Sequence, residues 1–153
     1  MSSVSRSSVQ YRVPFADTDG MGIVYHGHYL RYLEIARIAW MDEHDRPYRD
    51  VVAEGFHFAT MRVDVEYLRS AVFDDILVVS TWIDWVRGAS LAMAYVITRA
   101  GERIARAHTE HAFVALGGRP RPLSREHRQR LAELAARDAP AGRRARGRAD
   151  PSR

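Results

Sequence analysis

FADTDGMGIVYHGHYLRYLEIAR, residues 15–37, changes character half-way along. Its first half carries Asp17, Asp19, Gly20 and Gly22, residue types that favour turns because they bond their own main chain or accept left-handed backbone. From about Gly27 the spacing turns to threes and fours. Leu30, Leu33, Ala36 or Arg37, and Trp40 fall near one face and predict a helix that runs to His44. Tyr29, Tyr32, Ile35, Ile38, Ala39 and Met41 fill most of the remaining circumference, so the helix is expected to be buried on most sides. A helix of that kind needs another layer to wrap it.

The sequence on either side supplies the layer. Upstream, residues 9–15 read as a short strand. Downstream, Val63, Val65 and Tyr67 alternate with Arg62, Asp64 and Glu66, the period of two expected of a half-buried strand. Beyond Phe73-Asp74-Asp75 come apolar runs over residues 76–86 and 91–98, then a strand over 104–116, separated by Gly88 and by Ala100-Gly101. Strands joined by short connections are antiparallel, because parallel neighbours need long crossovers. After Gly117-Gly118, Ser124 can cap a short helix that uses Leu131, Leu134 and Ala135. The class is α+β.

At 153 residues there is room for one domain and little else. Residues 9–137 are assigned to it, residues 1–8 to a flexible start, and residues 138–153 to a disordered Arg-rich tail. The formal charge of +4 is unevenly placed: residues 1–118 carry a net −3 and residues 119–153 a net +7. All 23 basic residues are Arg, which reads more as compositional bias than as a nucleic-acid footprint. Without Cys there is no disulfide, thiolate nucleophile or thiolate metal ligand. No apolar run reads as a signal peptide or a membrane span, and the expectation is a cytoplasmic protein with neither nucleic-acid nor membrane partners.

Asp17, Asp19, His26 and His28 lie within twelve residues, in a loop that feeds a helix N-terminus. Unpaired N–H groups and the positive end of the helix dipole are available there, and they stabilise a carbonyl oxygen that is becoming an anion. Thioester hydrolysis needs little more. Its leaving thiol has a pKa of about 8.5, so one carboxylate acting as general base or nucleophile is enough. The same residues also suit solvated loop carboxylates, a helix cap and histidines placed at a helix end. Other motifs fail on spacing. Asp17-Thr-Asp19-Gly lacks the third ligand of a calcium loop, Tyr25 stands where GxGxxG needs its last Gly, and no GxSxG exists. His26, His28 and Asp19 match no zinc motif, so neither a metal nor a cofactor is expected.

The quoted segment closely resembles the signature of the 4-hydroxybenzoyl-CoA thioesterase family, in its YbgC-like acyl-CoA thioesterase branch. The resemblance rests on the Asp-Thr-Asp run, Gly22, Val24-Tyr25-His26, Tyr29, Glu34 and Ala36-Arg37, with a second match in VEYLRSAVFDDILVVST, residues 65–81. It covers roughly residues 9–135. It implies a hotdog fold, a five-stranded antiparallel sheet wrapped around a long central helix. It also implies dimers or tetramers with sheets paired edge to edge and the active site at the dimer interface.

By the same resemblance, Asp19 and His26 are catalytic, the second at least through its backbone N–H. Gly22, Tyr25, Gly27, Tyr29, Thr60, Met61, Arg87 and Ser90 are expected to bind substrate, an acyl-CoA or acyl-carrier-protein thioester. Phe15 departs from the Tyr frequent in the branch, and His28 from an Asn. Arg87 is the only basic residue of its hairpin, which leaves room for a carrier protein met by Arg143, Arg144, Arg146 and Arg148. Met21, Trp40, Phe58 and Met61 are candidate acyl-pocket residues, and Glu34 is expected to pair with Arg31 or Arg37. Two other readings remain: an enoyl-thioester hydratase or dehydratase using Asp19 and His26, and a non-catalytic acyl-carrier-binding subunit.

Overall fold

The structure, a computed structural model, describes residues 5–138. The tail residues beyond them, including Arg143, Arg144, Arg146 and Arg148, lie outside the described residues, as do residues 1–4. The elements in order are β1 (Ser7–Arg12), α1 (Tyr29–His44), α2 (Tyr48–Ala53), β2 (Phe56–Tyr67), β3 (Ile76–Arg87), β4 (Ser90–Arg99), β5 (Glu102–Ala115) and α3 (Arg125–Asp138). All five strands form one antiparallel sheet in the order β1-β3-β4-β5-β2. This is the α+β arrangement expected, a five-stranded antiparallel sheet with one long helix.

The helix is sixteen residues long and packs against β1 and β3. Tyr29, Tyr32, Leu33, Ala36, Trp40 and Met41 are buried, a stripe with the three-and-four spacing of one helix face. Leu30, placed on that face by the sequence reading, is instead 46% exposed. It sits one residue, about 100° of helix rotation, beyond the Tyr29 edge of the stripe. Leu77, Val79, Thr81 and Ile83 of β3 meet the core on alternate positions, as a strand with one covered face must. Trp40 is completely buried, and its indole N–H donates to the Ser5 carbonyl.

Three boundaries differ from the sequence reading. β1 covers Ser7–Arg12 rather than 9–15, because Pro14 cannot donate to a ladder and residues Phe15–Asp17 coil into a 3-10 turn. Ser7 thus belongs to the sheet rather than to a flexible start, and its hydroxyl donates to Glu43 at 2.6 Å. α3 continues through Asp138, and Ser124 caps it by accepting the His127 N–H at 3.1 Å. β2 begins at Phe56, since Phe56, Phe58 and Phe113 pack together across the β2–β5 pair.

β2 and β3 follow one another in sequence but are not partners: β2 pairs with β5 and forms the opposite part of the sheet. The linking segment is no hairpin because other elements hold its backbone. Leu68 and Arg69 donate to the Ile104 carbonyl, and the Ala71 carbonyl accepts Val24 N–H at 2.8 Å. This tethering brings the end of β2 to the Asp19 loop.

Candidate active site

The Asp-Thr-Asp loop is a miniature hairpin. Thr18 and Val24 form an antiparallel bridge, Asp19 N–H donates to the Ile23 carbonyl, and Gly22 N–H returns to the Asp19 carbonyl. The turn needs left-handed backbone at Gly22, whose φ is +77°, and glycine takes it without steric cost. At the tip, one Asp19 carboxylate oxygen accepts Met21 N–H at 2.8 Å. No hydrogen bond engages the other oxygen among the described residues. Asp19 is half-buried.

Asp17 does a different job. Its carboxylate is buried, 3% exposed, and accepts from Tyr32 at 2.6 Å, from Arg31 and, at 3.4 Å, from Tyr11. Its carbonyl accepts Tyr25 N–H at 2.9 Å. Burial alone would push its pKa up, but hydrogen bonds from Arg31 and Tyr32 and the Arg31 charge hold it below the ordinary carboxylate value. Asp17 thus shapes the loop, with its carboxylate bonded to Arg31 and Tyr32 and its carbonyl to Tyr25. Arg31 is thereby turned from Glu34, and Arg37 reaches the Tyr95 hydroxyl. The expected Glu34 ion pair is absent among the described residues, leaving Glu34 exposed.

The helix entry is equally constrained. His26–His28 form a 3-10 turn that leads straight into α1. His28 N–H returns to the Tyr25 carbonyl, and the N–H groups that open such a turn have no acceptor within it. Gly27 is required by crowding, since a Cβ there would sit 2.8 Å from the Tyr25 ring. The Tyr25 ring in turn lies against His26, with centroids 4.4 Å apart. From the end of β2, the Tyr67 hydroxyl donates to the His26 carbonyl at 2.7 Å, and its ring meets Tyr29 edge-on at 5.0 Å. Burial pushes the Tyr67 and Tyr29 phenols up in pKa, so both remain neutral hydrogen-bonding groups.

These parts enclose a cleft of about 300 Å³ lined by Asp19, Met21, Ile23, Val24, His26, Tyr29, Tyr67, Leu68, Arg69 and Ser70. The proposed catalytic pair Asp19 and His26 therefore shares one wall with Tyr29 and Met21. Gly22, Tyr25 and Gly27 build the turns behind that wall. Tyr67, Leu68, Arg69 and Ser70 were not legible as site residues. They arrive through the Val24–Ala71 and Ile23–Val72 contacts, which no local spacing encodes.

Four predicted residues lie elsewhere in the protomer. Register across the sheet runs from Ala59 in β2 to Ala112 in β5, to Ser90 in β4 and to Arg87 in β3. Thr60, Met61, Arg87 and Ser90 thus gather at one end of the sheet. Tyr67 is aligned instead with Ala105 and Ile97, seven residues further along β2, or roughly 23 Å. Trp40 and Phe58 belong to the core, which removes them from the list of cleft-lining candidates.

A model of the thioesterase-like superfamily matches residues 13–138. The chain belongs to that superfamily. Acyl-CoA thioester hydrolase YbgC of Escherichia coli is 36% identical over 89 residues, spanning 58% of this chain and 66% of the relative. Acyl-CoA thioesterase YbgC of Haemophilus influenzae is 30% identical over 111 residues, spanning 72% and 82%. Among solved structures, a hypothetical protein of Thermus thermophilus superposes with a TM-score of 0.78 at 27% identity, covering 84% of this chain and 97% of the other. A mutant 4-hydroxybenzoyl-CoA thioesterase complexed with 4-hydroxybenzoyl-CoA superposes at 0.75 with 21% identity, covering 84% and 99%. That last likeness is one of fold.

Proposed function

We propose that this thioesterase-superfamily protein hydrolyses acyl-CoA thioesters to the free acid and CoA, with Asp19 as the reacting carboxylate. The observation that carries the reading is the shared cleft: Asp19 and His26, the residue that opens the His26–His28 turn, line one space whose walls are both polar and apolar. An acyl group enters it with its carbonyl oxygen toward the N–H groups of the turn. As the carbonyl carbon becomes tetrahedral, negative charge collects on that oxygen, where the N–H groups and the N-terminus of α1 stabilise it. Asp19 takes a proton from the attacking water, or attacks directly to give a mixed anhydride that water opens. In either course the C–S bond breaks and the thiolate departs, needing no acid because the thiolate is only weakly basic, its conjugate thiol having a pKa of about 8.5.

The working unit in this reading is a homo-oligomer built on a dimer. β2 is an edge strand with a long exposed run, including Met61 at 69%, Val63 at 39% and Tyr67 at 45%, and unpaired edges of this kind invite another strand. An isologous pairing centred near Val63 would lay Thr60 of one copy near the Tyr67 end of the other. Arg87 and Ser90, in the same row of the sheet, would come with it. The four outlying residues would then complete the second copy's cleft, with Arg87 placed to meet phosphate. A thiol-release screen over aryl, short-chain and long-chain acyl-CoAs, with acyl-carrier thioesters beside them, tests the reading. Release from at least one acyl-CoA is expected, and silence across the whole panel would contradict it.

A further inference from the structure

A polar chain with a buried middle runs from α1 through β4 and β5 to β2. Arg37 of α1 donates to the Tyr95 hydroxyl at 3.5 Å, Tyr95 meets Thr109 at 2.8 Å, Thr109 meets His111 Nε2 at 2.7 Å, and His111 Nδ1 meets the Thr60 hydroxyl at 3.2 Å. Tyr95, Thr109 and His111 are buried, His111 completely, while Thr60 opens to the exposed β2 edge. Nothing in the proposed chemistry uses His111.

The direction of the chain follows from its far end. A guanidinium has protons to give and no lone pair to receive them. If the chain ran toward Arg37, the Tyr95 proton would be buried with no acceptor, which folded proteins avoid. Running the other way, every buried group is satisfied: Arg37 gives to Tyr95, Tyr95 to Thr109, and Thr109 to His111 Nε2. The His111 proton then sits on Nδ1 and goes to the Thr60 oxygen. Burial, with Arg37 and His108 adding positive charge, pushes the His111 pKa down to about 3, so the ring is neutral at working pH. The Thr60 proton is left with no acceptor among the described residues.

We infer that His111 is a positioning residue that fixes Thr60 as a hydrogen-bond donor at the β2 edge, aimed at an oxygen acceptor of the bound acyl thioester. The inference rests on the proposed thioesterase reading and its β2 pairing. Thr60→Val, which keeps the shape and removes the hydroxyl, is expected to raise KM about tenfold with little change in kcat. Thr60→Ser is expected to return KM to within about threefold of the wild type. Independently of activity, ¹⁵N spectra of the full chain should show His111 as the neutral Nδ1–H tautomer from pH 5 to 8.

Wild-type thiol release with Thr60→Val kinetics unchanged would overturn the inference while leaving the hydrolase reading intact. An Nε2–H tautomer, or a His111 that titrates within that range, would overturn it without reference to any substrate. A wild type that releases no thiol from any acyl thioester would overturn the hydrolase reading and, with it, the role given to Thr60.

Discussion

Two aspartates two residues apart stand in different surroundings. Asp17 is buried under Arg31 and Tyr32, and Asp19 stands at the loop tip with one oxygen unengaged among the described residues. Replacing Asp17 with Ala leaves the buried Tyr32 hydroxyl without its acceptor, and should cost about 2 kcal/mol in a denaturant titration. The pH dependence has a definite sign. Because the folded state holds the Asp17 carboxyl below its ordinary value of 3.8, its contribution is fully present above that value and is lost as pH falls through the lower folded value. Wild-type stability should therefore decline on acidification below about pH 4, and part of that decline should vanish in Asp17→Asn. The sequence placed both carboxylates in one loop. It could not say which was buried, since that depends on Tyr11 and on the folding of α1 back over the loop.

At the scale of elements, the long helix and the alternating strands were legible because local periodicity reports directly on burial. Spacing from about Gly27 to His44 marked the helix, which begins at Tyr29, and alternation over 62–67 marked the end of β2. The connection between β2 and β3 was not legible, because a short segment between two strands looks the same whether it closes a hairpin or crosses to another part of the sheet. Here its tether to Val24 and Ile104 decides, and that tether brings Tyr67, Leu68, Arg69 and Ser70 to the cleft as its walls. Capping at α3 was readable from a single residue. Ser124→Ala should lower stability by about 1 kcal/mol, measured as a shift in the urea midpoint with the slope unchanged.

Over the whole molecule, the sheet has a cleft at one end and the remaining predicted substrate residues at the other. One protomer cannot close that gap of roughly 23 Å, whereas the proposed pairing of two copies along β2 would. Val63→Glu would bury like charges against each other at the centre of such a pairing. It should convert the oligomer to monomers in sedimentation velocity, with loss of thioesterase activity, while the circular dichroism of the fold is retained. The most direct measurement is steady-state thiol release by wild type and Asp19→Asn on the best acyl-CoA of the screen. A loss of about 100- to 10,000-fold in kcat, with the fold and oligomer intact, is predicted, and an Asp19→Asn protein that keeps full activity would contradict the account.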